Sequence, residues 1–149
     1  MYEKYGQFID GQWCQSSDKQ TYDVINPATE EIIGKASKAS PEDVDRALKS
    51  SEKGLNTWKK TPPWQRASIL RKIADTIREK TNVLAKWMTL ENGKPLAEGA
   101  AEVNGTADIF EWNAEETKRI YGQTIESRFE DTRVHIYYQP VGVVAAMVP

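Results

Sequence analysis

Val141-Gly142-Val143-Val144-Ala145-Ala146-Met147-Val148 is apolar throughout, with no alternation of apolar and polar side chains. A strand with one wet face alternates. A short continuous apolar run instead fits a strand covered on both faces, as in a parallel sheet sandwiched between helices. The run therefore predicts an α/β fold. A parallel strand needs a crossover and a neighbour in its own sheet, and the sequence ends one residue later at Pro149. The expectation is an incomplete fold whose last segment is the first strand of its sheet.

Upstream of this run, Gln123 to Phe129 and Arg133 to Gln139 flank Glu130-Asp131-Thr132 and read as a hairpin. Val134, Ile136 and Tyr138 alternate with His135, Tyr137 and Gln139, which predicts two chemically different faces. Further back the period changes to that of helices. Ser40-Pro41-Glu42-Asp43 is a helix start: a Ser cap, Pro at the first helical position and acids at the positive end. Val44, Ala47, Leu48, Ser51, Leu55 and Trp58 then share a face. Thr61-Pro62-Pro63 restarts the pattern, with Ala67, Leu70, Ile73, Ala74 and Ile77 inward and Arg66, Arg71, Lys72 and Arg78 mostly toward solvent. A third helix covers Asn82 to Glu91 and stops at Gly93 and Pro95. A fourth runs from Leu96 to Ile120, with Leu96, Ala100, Val103, Ala107, Phe110, Ala114 and Thr117 buried and Gly122 as its stop. Gly99 and Gly105 weaken it by about 1 kcal/mol each relative to Ala unless another backbone packs closely there.

The first forty residues read as β. Asp10-Gly11 joins Gln7-Phe8-Ile9 to Gln12-Trp13 in a tight hairpin. Thr21 to Ile25 and Glu31 to Ala36 are two more short strands around the turn Asn26-Pro27-Ala28-Thr29.

Composition narrows the function classes. The 149 residues carry a formal net charge of -2, which offers no field for nucleic acid or an anionic membrane surface. No stretch is long and apolar enough to span a membrane, and the amino terminus lacks the pattern of a signal peptide. A single cysteine, Cys14, excludes an intrachain disulfide and fits a reducing, cytoplasmic setting. Five Trp and six Tyr predict aromatic interior and a partner surface.

No self-contained active site is legible. No His/Cys cluster has metal-ligand spacing, and no Gly-x-Gly-x-x-Gly follows a strand. Gly93-Lys94 is similar to the tail of a phosphate-binding loop, but Pro95 and Met88 stand where Ser/Thr and the first Gly belong. Cys14 has no basic partner nearby in sequence and reads as a structural thiol. His135 reads as a surface or interface residue. Glu111, Glu115 and Glu116 read as a solvated helix face rather than an acid pair.

Four motifs in order carry a resemblance. Asn26-Pro27-Ala28-Thr29-Glu30-Glu31-Ile32-Ile33-Gly34 resembles the opening motif of the aldehyde dehydrogenase superfamily. Glu42-Asp43-Val44-Asp45-Arg46-Ala47-Leu48, with Trp58 and Arg66, resembles its first two helices. Thr89-Leu90-Glu91-Asn92-Gly93-Lys94-Pro95-Leu96-Ala97-Glu98 is similar to its Glu-x-Gly-Lys-Pro turn. Gln139-Pro140-Val141-Gly142-Val143-Val144 with Val148-Pro149 looks like the strand leading into the cofactor loop. Lys118 to Ile125 leans toward the succinate-semialdehyde dehydrogenase branch.

The resemblance implies the amino-terminal part of an oxidoreductase that uses NAD or NADP to oxidise an aldehyde, such as succinic semialdehyde, to its acid. Residues 1–122 would be the first part of the cofactor-binding domain. Residues 123–139 would be a hairpin building a homo-dimer or homo-tetramer by strand addition, the alternative being a hairpin packed on its own subunit. Residues 140–149 would start the Rossmann-like sheet, with the catalytic domain beyond.

In the family a Cys attacks the aldehyde to give a thiohemiacetal, an Asn and a backbone N–H hold the oxyanion, hydride passes to the nicotinamide and a Glu activates water. None of those residues matches a position in this sequence, so no catalytic residue is carried over. Met147, Val148 and Pro149 match the start of the cofactor-contacting loop. Ile25, through its backbone, and Glu102 match positions that hold a structural monovalent cation in some members; Val24 departs from the Thr frequent there. The alternative reading is a non-catalytic binding or assembly module of the same fold.

Overall fold

The computed structural model describes residues 5–148. Three antiparallel hairpins and four helices follow one another: β1 (Gln7–Ile9), β2 (Gln12–Cys14), β3 (Thr21–Ile25), β4 (Ile32–Ser37), α1 (Pro41–Trp58), α2 (Pro63–Glu79), α3 (Thr81–Asn92), α4 (Leu96–Glu116), β5 (Gln123–Glu126) and β6 (Arg133–Ile136). Each hairpin is a separate two-stranded sheet. Asp10 and Gly11 adopt the positive φ values, 51° and 78°, that the first tight turn requires.

Helices α2, α3 and α4 form the packed centre, with α4 against both others. Their contact is made of small side chains. Ala67 and Ala74 on α2, Ala85 on α3, and Gly99, Val103, Ala107 and Ala114 on α4 are buried. At Gly99 a β-carbon would lie 3.2 Å from the Ala85 carbonyl oxygen, whereas at Gly105 it would meet nothing within 4 Å. Gly99 is therefore where the second backbone comes close, and Gly105 is not.

Of the interior and partner surface expected for the aromatics, the seam takes none: Trp13, Trp58, Trp64 and Trp112 are exposed, and the side chains buried between the helices are Ala, Gly and Val. The predicted buried stripe of α4 holds at Val103, Ala107 and Ala114, while Leu96 is exposed. On α1 the predicted apolar face forms but is uncovered: Val44 and Leu48 are both nearly half exposed, and Asp43 is the buried residue.

Two further expectations are revised. Helix α4 ends at Glu116 rather than Ile120, where Lys118 and Arg119 donate to the carbonyls of Glu115 and Glu116 and tighten the chain out of the helix. Gly122 does not stop it. A β-carbon there would lie 2.5 Å from the Ile136 carbonyl oxygen, so Gly122 admits the facing strand of the last hairpin. Residues 141–148 take no strand pairing, since no neighbouring parallel strand stands beside them among the described residues.

The basic residues of α2 are also partly redirected. Arg78 donates to Asp108 and Glu111 at 2.7 Å each, and Arg71 pairs with Glu115. Arg66 buries its Nε. Arg71 and Arg78 thus link α2 to α4 from the solvent-facing side, with their side chains 44% and 36% exposed.

The amino-terminal strands are joined to α1 through one carboxylate. Ser40 caps α1 in a capping box with Asp43. Asp43 Oδ2 accepts from Ser40 N at 3.0 Å, Ser40 Oγ at 3.0 Å, Ser16 Oγ at 2.9 Å, Ser17 N at 3.1 Å and Gln7 Nε2 at 3.3 Å. Arg46 reaches Oδ1 at 3.3 Å. The Ser40 backbone N–H, then those of Ser17 and the serine hydroxyls, hold the Asp43 carboxyl well below the usual carboxylate range, against the opposing pull of burial.

Two predictions follow from this packing. Gly105→Ala is expected to raise chain stability by about 1 kcal/mol through helix propensity, while Gly99→Ala is expected to lose that gain to the Ala85 carbonyl; urea titrations of both variants compare them. Because its folded pKa is depressed, Asp43 stabilises the fold above its unfolded value of about 3.9, and that contribution is lost as pH falls below it. Thermal midpoints from pH 7 to 3 should therefore fall less steeply in Asp43→Asn than in the parent sequence, from a lower start.

Candidate functional site

The residues singled out for binding lie in three places. Ile25 ends β3 beside a β-irregularity between Val24 and Ile25. The turn after it is built by Asn26, which is buried. Its side-chain oxygen accepts from Ala28 N at 3.0 Å, its carbonyl accepts from Glu30 N at 2.8 Å, and Glu30 takes a φ of 59°. An Asn side chain supports such a turn by bonding two residues ahead.

That turn meets a second motif. Gly93 ends α3 with a φ of 81°, the left-handed cap that suits glycine. A β-carbon on Gly93 would lie 3.0 Å from Pro27 Cγ. The Asn26-Pro27 turn and the Gly93-Lys94-Pro95 turn, distant in sequence, therefore pack against each other. Pro95 then opens α4, and Lys94 reaches forward to pair with Glu102 in its second turn.

This placement tests the cation reading. The Glu102 carboxylate is already neutralised by the Lys94 ammonium. Among the described residues no group of three or more His, Cys, Asp and Glu side chains converges. For the Glu102 carboxylate to meet a cation, the Lys94 ammonium would have to withdraw, and no chemical step is drawn through one.

Met147 and Val148 are exposed, at 96% and 81%, in a stretch without strand pairing; Pro149 lies outside the described residues. Met147 and Val148 are not brought together with Ile25 or Glu102 by any contact in the structure.

The other candidates resolve as structural. Glu111, Glu115 and Glu116 pair with Arg78, with Arg71 and Lys118, and with Arg119, and Glu115 titrates below its ordinary range because of Lys118 and Arg71. His135 Nδ1 lies 3.1 Å from Thr124 Oγ1 across the last hairpin. Cys14, however, has a cationic neighbour that sequence proximity did not reveal: Arg46 Nη2 is 3.9 Å from its sulfur.

The folded arrangement thus places two turn motifs in contact and keeps an apolar run open beyond them. Among known proteins, the aldehyde dehydrogenase family model matches residues 13–149. The chain belongs to the aldehyde dehydrogenase family. It is 42% identical over 142 residues to glutarate-semialdehyde dehydrogenase of Pseudomonas aeruginosa, covering 95% of this chain and 29% of that protein. It is 38% identical over 141 residues to the succinate-semialdehyde dehydrogenase GabD of Escherichia coli, whose name specifies NADP(+), with the same 95% and 29% coverage. A crystal structure of betaine aldehyde dehydrogenase from Staphylococcus aureus in complex with NAD+ superposes with a TM-score of 0.79 at 33% identity, over 86% of this chain and 26% of that one. The chain therefore spans under a third of the length of the relatives it matches. It corresponds to the amino-terminal portion of an α/β aldehyde dehydrogenase.

Proposed function

We propose that this chain is the amino-terminal portion of an enzyme that oxidises a short aldehyde bearing a distal carboxylate, succinic or glutaric semialdehyde, to the dicarboxylic acid. The observation that carries this reading is its similarity, over nearly all of its length, to proteins named for those two semialdehydes. NAD or NADP supplies the hydride acceptor when bound. Met147 and Val148, with Pro149, meet the dinucleotide at the mouth of the Rossmann-like sheet that residues 140–149 begin. Residues 1–122 support that sheet from one side. The chemistry through a Cys thiohemiacetal, an oxyanion-binding Asn and a water-activating Glu belongs to the remainder of such a protein. The cation assigned by resemblance to Ile25 and Glu102 carries no part of this proposal.

Residues 123–139 are proposed to join subunits into a homo-dimer or homo-tetramer. Strands β5 and β6 pair in register from Gln123↔Ile136 to Glu126↔Arg133 and make no substantial contact with another element among the described residues. A lone two-stranded hairpin is marginal in water, and this one exposes Ile125, Phe129, Val134, Tyr137 and Tyr138. Both features favour an edge that is completed by another chain. A cytoplasmic setting is proposed with it. No helix among the described residues is long and apolar enough to cross a membrane.

The catalytic reading is tested on the complete protein that carries this portion. Reduced nicotinamide should accumulate when it is mixed with succinic or glutaric semialdehyde and NAD+ or NADP+, and the 149-residue chain alone should show no turnover. Inactivity of the complete protein toward both semialdehydes would remove the proposed substrate class; turnover by the short chain alone would overturn the division of labour. For assembly, Val134→Asp in the complete protein is expected to lower its native mass by light scattering toward that of one subunit. An unchanged mass would return the hairpin to its own subunit.

A further inference from the structure

Between the β1–β2 hairpin and α1 lies a cleft of about 390 Å³ that the dehydrogenase reading does not use. Its α1 wall presents Arg46, Lys49, Ser50 and Lys53, and its hairpin wall presents Asp10 and Cys14. The three cations sit at i, i+3 and i+7, so successive turns of one helix face aim them into the same space. Their charge is only partly met. Asp10 is shared between Lys53 at 3.7 Å and the Ser50 hydroxyl at 3.3 Å. Arg46 touches Asp43, whose carboxylate is already saturated by serine and backbone donors. Lys49 has no carboxylate partner among the described residues. Three cations thus face one carboxylate in a cleft with a hydroxyl donor at its floor, in a chain whose formal net charge is negative.

We propose that this cleft binds a small multivalent anion of the phosphate type. Arg46 and Lys49 hold its oxygens, and Lys53 and the Ser50 hydroxyl are released from Asp10 to join them. A concave site lined by one sign of charge focuses field and raises the local concentration of the opposite charge, and guanidinium and ammonium groups are the donors that match phosphate oxygens. The proposal is independent of the dehydrogenase activity.

Cys14 at the cleft edge serves as the reporter in the complete protein. Its thiolate displaces iodide from iodoacetate or iodoacetamide, forming one S–C bond that mass spectrometry of the Cys14 peptide quantifies separately from any other thiol. In the cleft's positive field the anionic reagent should be favoured over the neutral one by about tenfold relative to a free thiol. Inorganic pyrophosphate should slow both reactions saturably, beyond chloride of equal ionic strength. Lys49→Gln and Lys49→Gln/Lys53→Gln, checked for helix content by circular dichroism, should lose the preference and the protection. Phosphorus NMR line broadening of pyrophosphate by the unsubstituted complete protein gives a readout that needs no variant. Pyrophosphate protection no greater than that of chloride, no line broadening, or protection unchanged in a folded Lys49→Gln chain would each overturn the site.

Discussion

Everything in the helical part depends on how closely α4 approaches α2 and α3. Gly99 lets the Ala85 carbonyl come within van der Waals reach, and Ala67, Ala74, Ala107 and Ala114 keep the rest of the seam thin. Packing of this kind gains from many short dispersion contacts rather than from large buried side chains. It also fixes geometry, since a seam of alanines has almost no rotamer freedom to absorb a shift. The polar stitches between α2 and α4, Arg78 to Asp108 and Glu111 and Arg71 to Glu115, lie outside this seam in solvent. They set register more than stability, because exposed ion pairs contribute little.

A thin seam leaves the large apolar side chains elsewhere. Val44 and Leu48 on α1, Ile109 and Trp112 on α4, and Val141, Val144, Met147 and Val148 along the last segment are exposed. Burial of one such side chain contributes about 1.5–3 kcal/mol, so this is a large uncollected stabilisation. The exposed surface is also organised: it follows the apolar face of an amphipathic helix and a continuous apolar run. Organised apolar surface of this extent marks contact with other polypeptide, which agrees with a chain spanning 29% of the glutarate-semialdehyde dehydrogenase it resembles. The amino-terminal hairpins are held differently. They attach to α1 through Asp43 and its serines, so that attachment is sensitive to protonation where the helical seam is not.

Local signals were legible in the sequence wherever one residue dictates backbone shape. Ser40-Pro41 started α1, Gly93-Pro95 separated α3 from α4, and Asp10-Gly11 turned the first hairpin, all where the structure has them. Signals that depend on what a face packs against were not legible. The periodicity of α1 located its apolar face correctly, yet only tertiary structure shows that face uncovered. The aromatic count predicted interior or partner surface without assigning either to a residue, and only the structure places Trp64 and Trp112 outside the helical seam. The Cys14–Arg46 approach joins a strand to a helix far along the chain, and no sequence spacing encodes it. The segment 141–148 shows the same limit, since strand propensity is realised only when a neighbour supplies the ladder.

Function was legible by a different route from chemistry. Among the described residues no group of three or more His, Cys, Asp and Glu converges that could hold a metal ion, and the motifs that carry the resemblance centre on turn-formers: Asn26, Pro27, Gly93 and Pro95. The structure gives a physical reason for these positions to depend on one another. Asn26 shapes a turn whose Pro27 ring fills the space beside Gly93, and a side chain at position 93 would be opposed both by that ring and by the left-handed backbone. Each motif is thus a packing condition on the other. Two distant turns locked in this way fix where β3–β4 sits relative to the start of α4, a framework requirement that holds whatever chemistry is placed on it. Such a constraint identifies the family while leaving the substrate to be decided by residues that line its pocket.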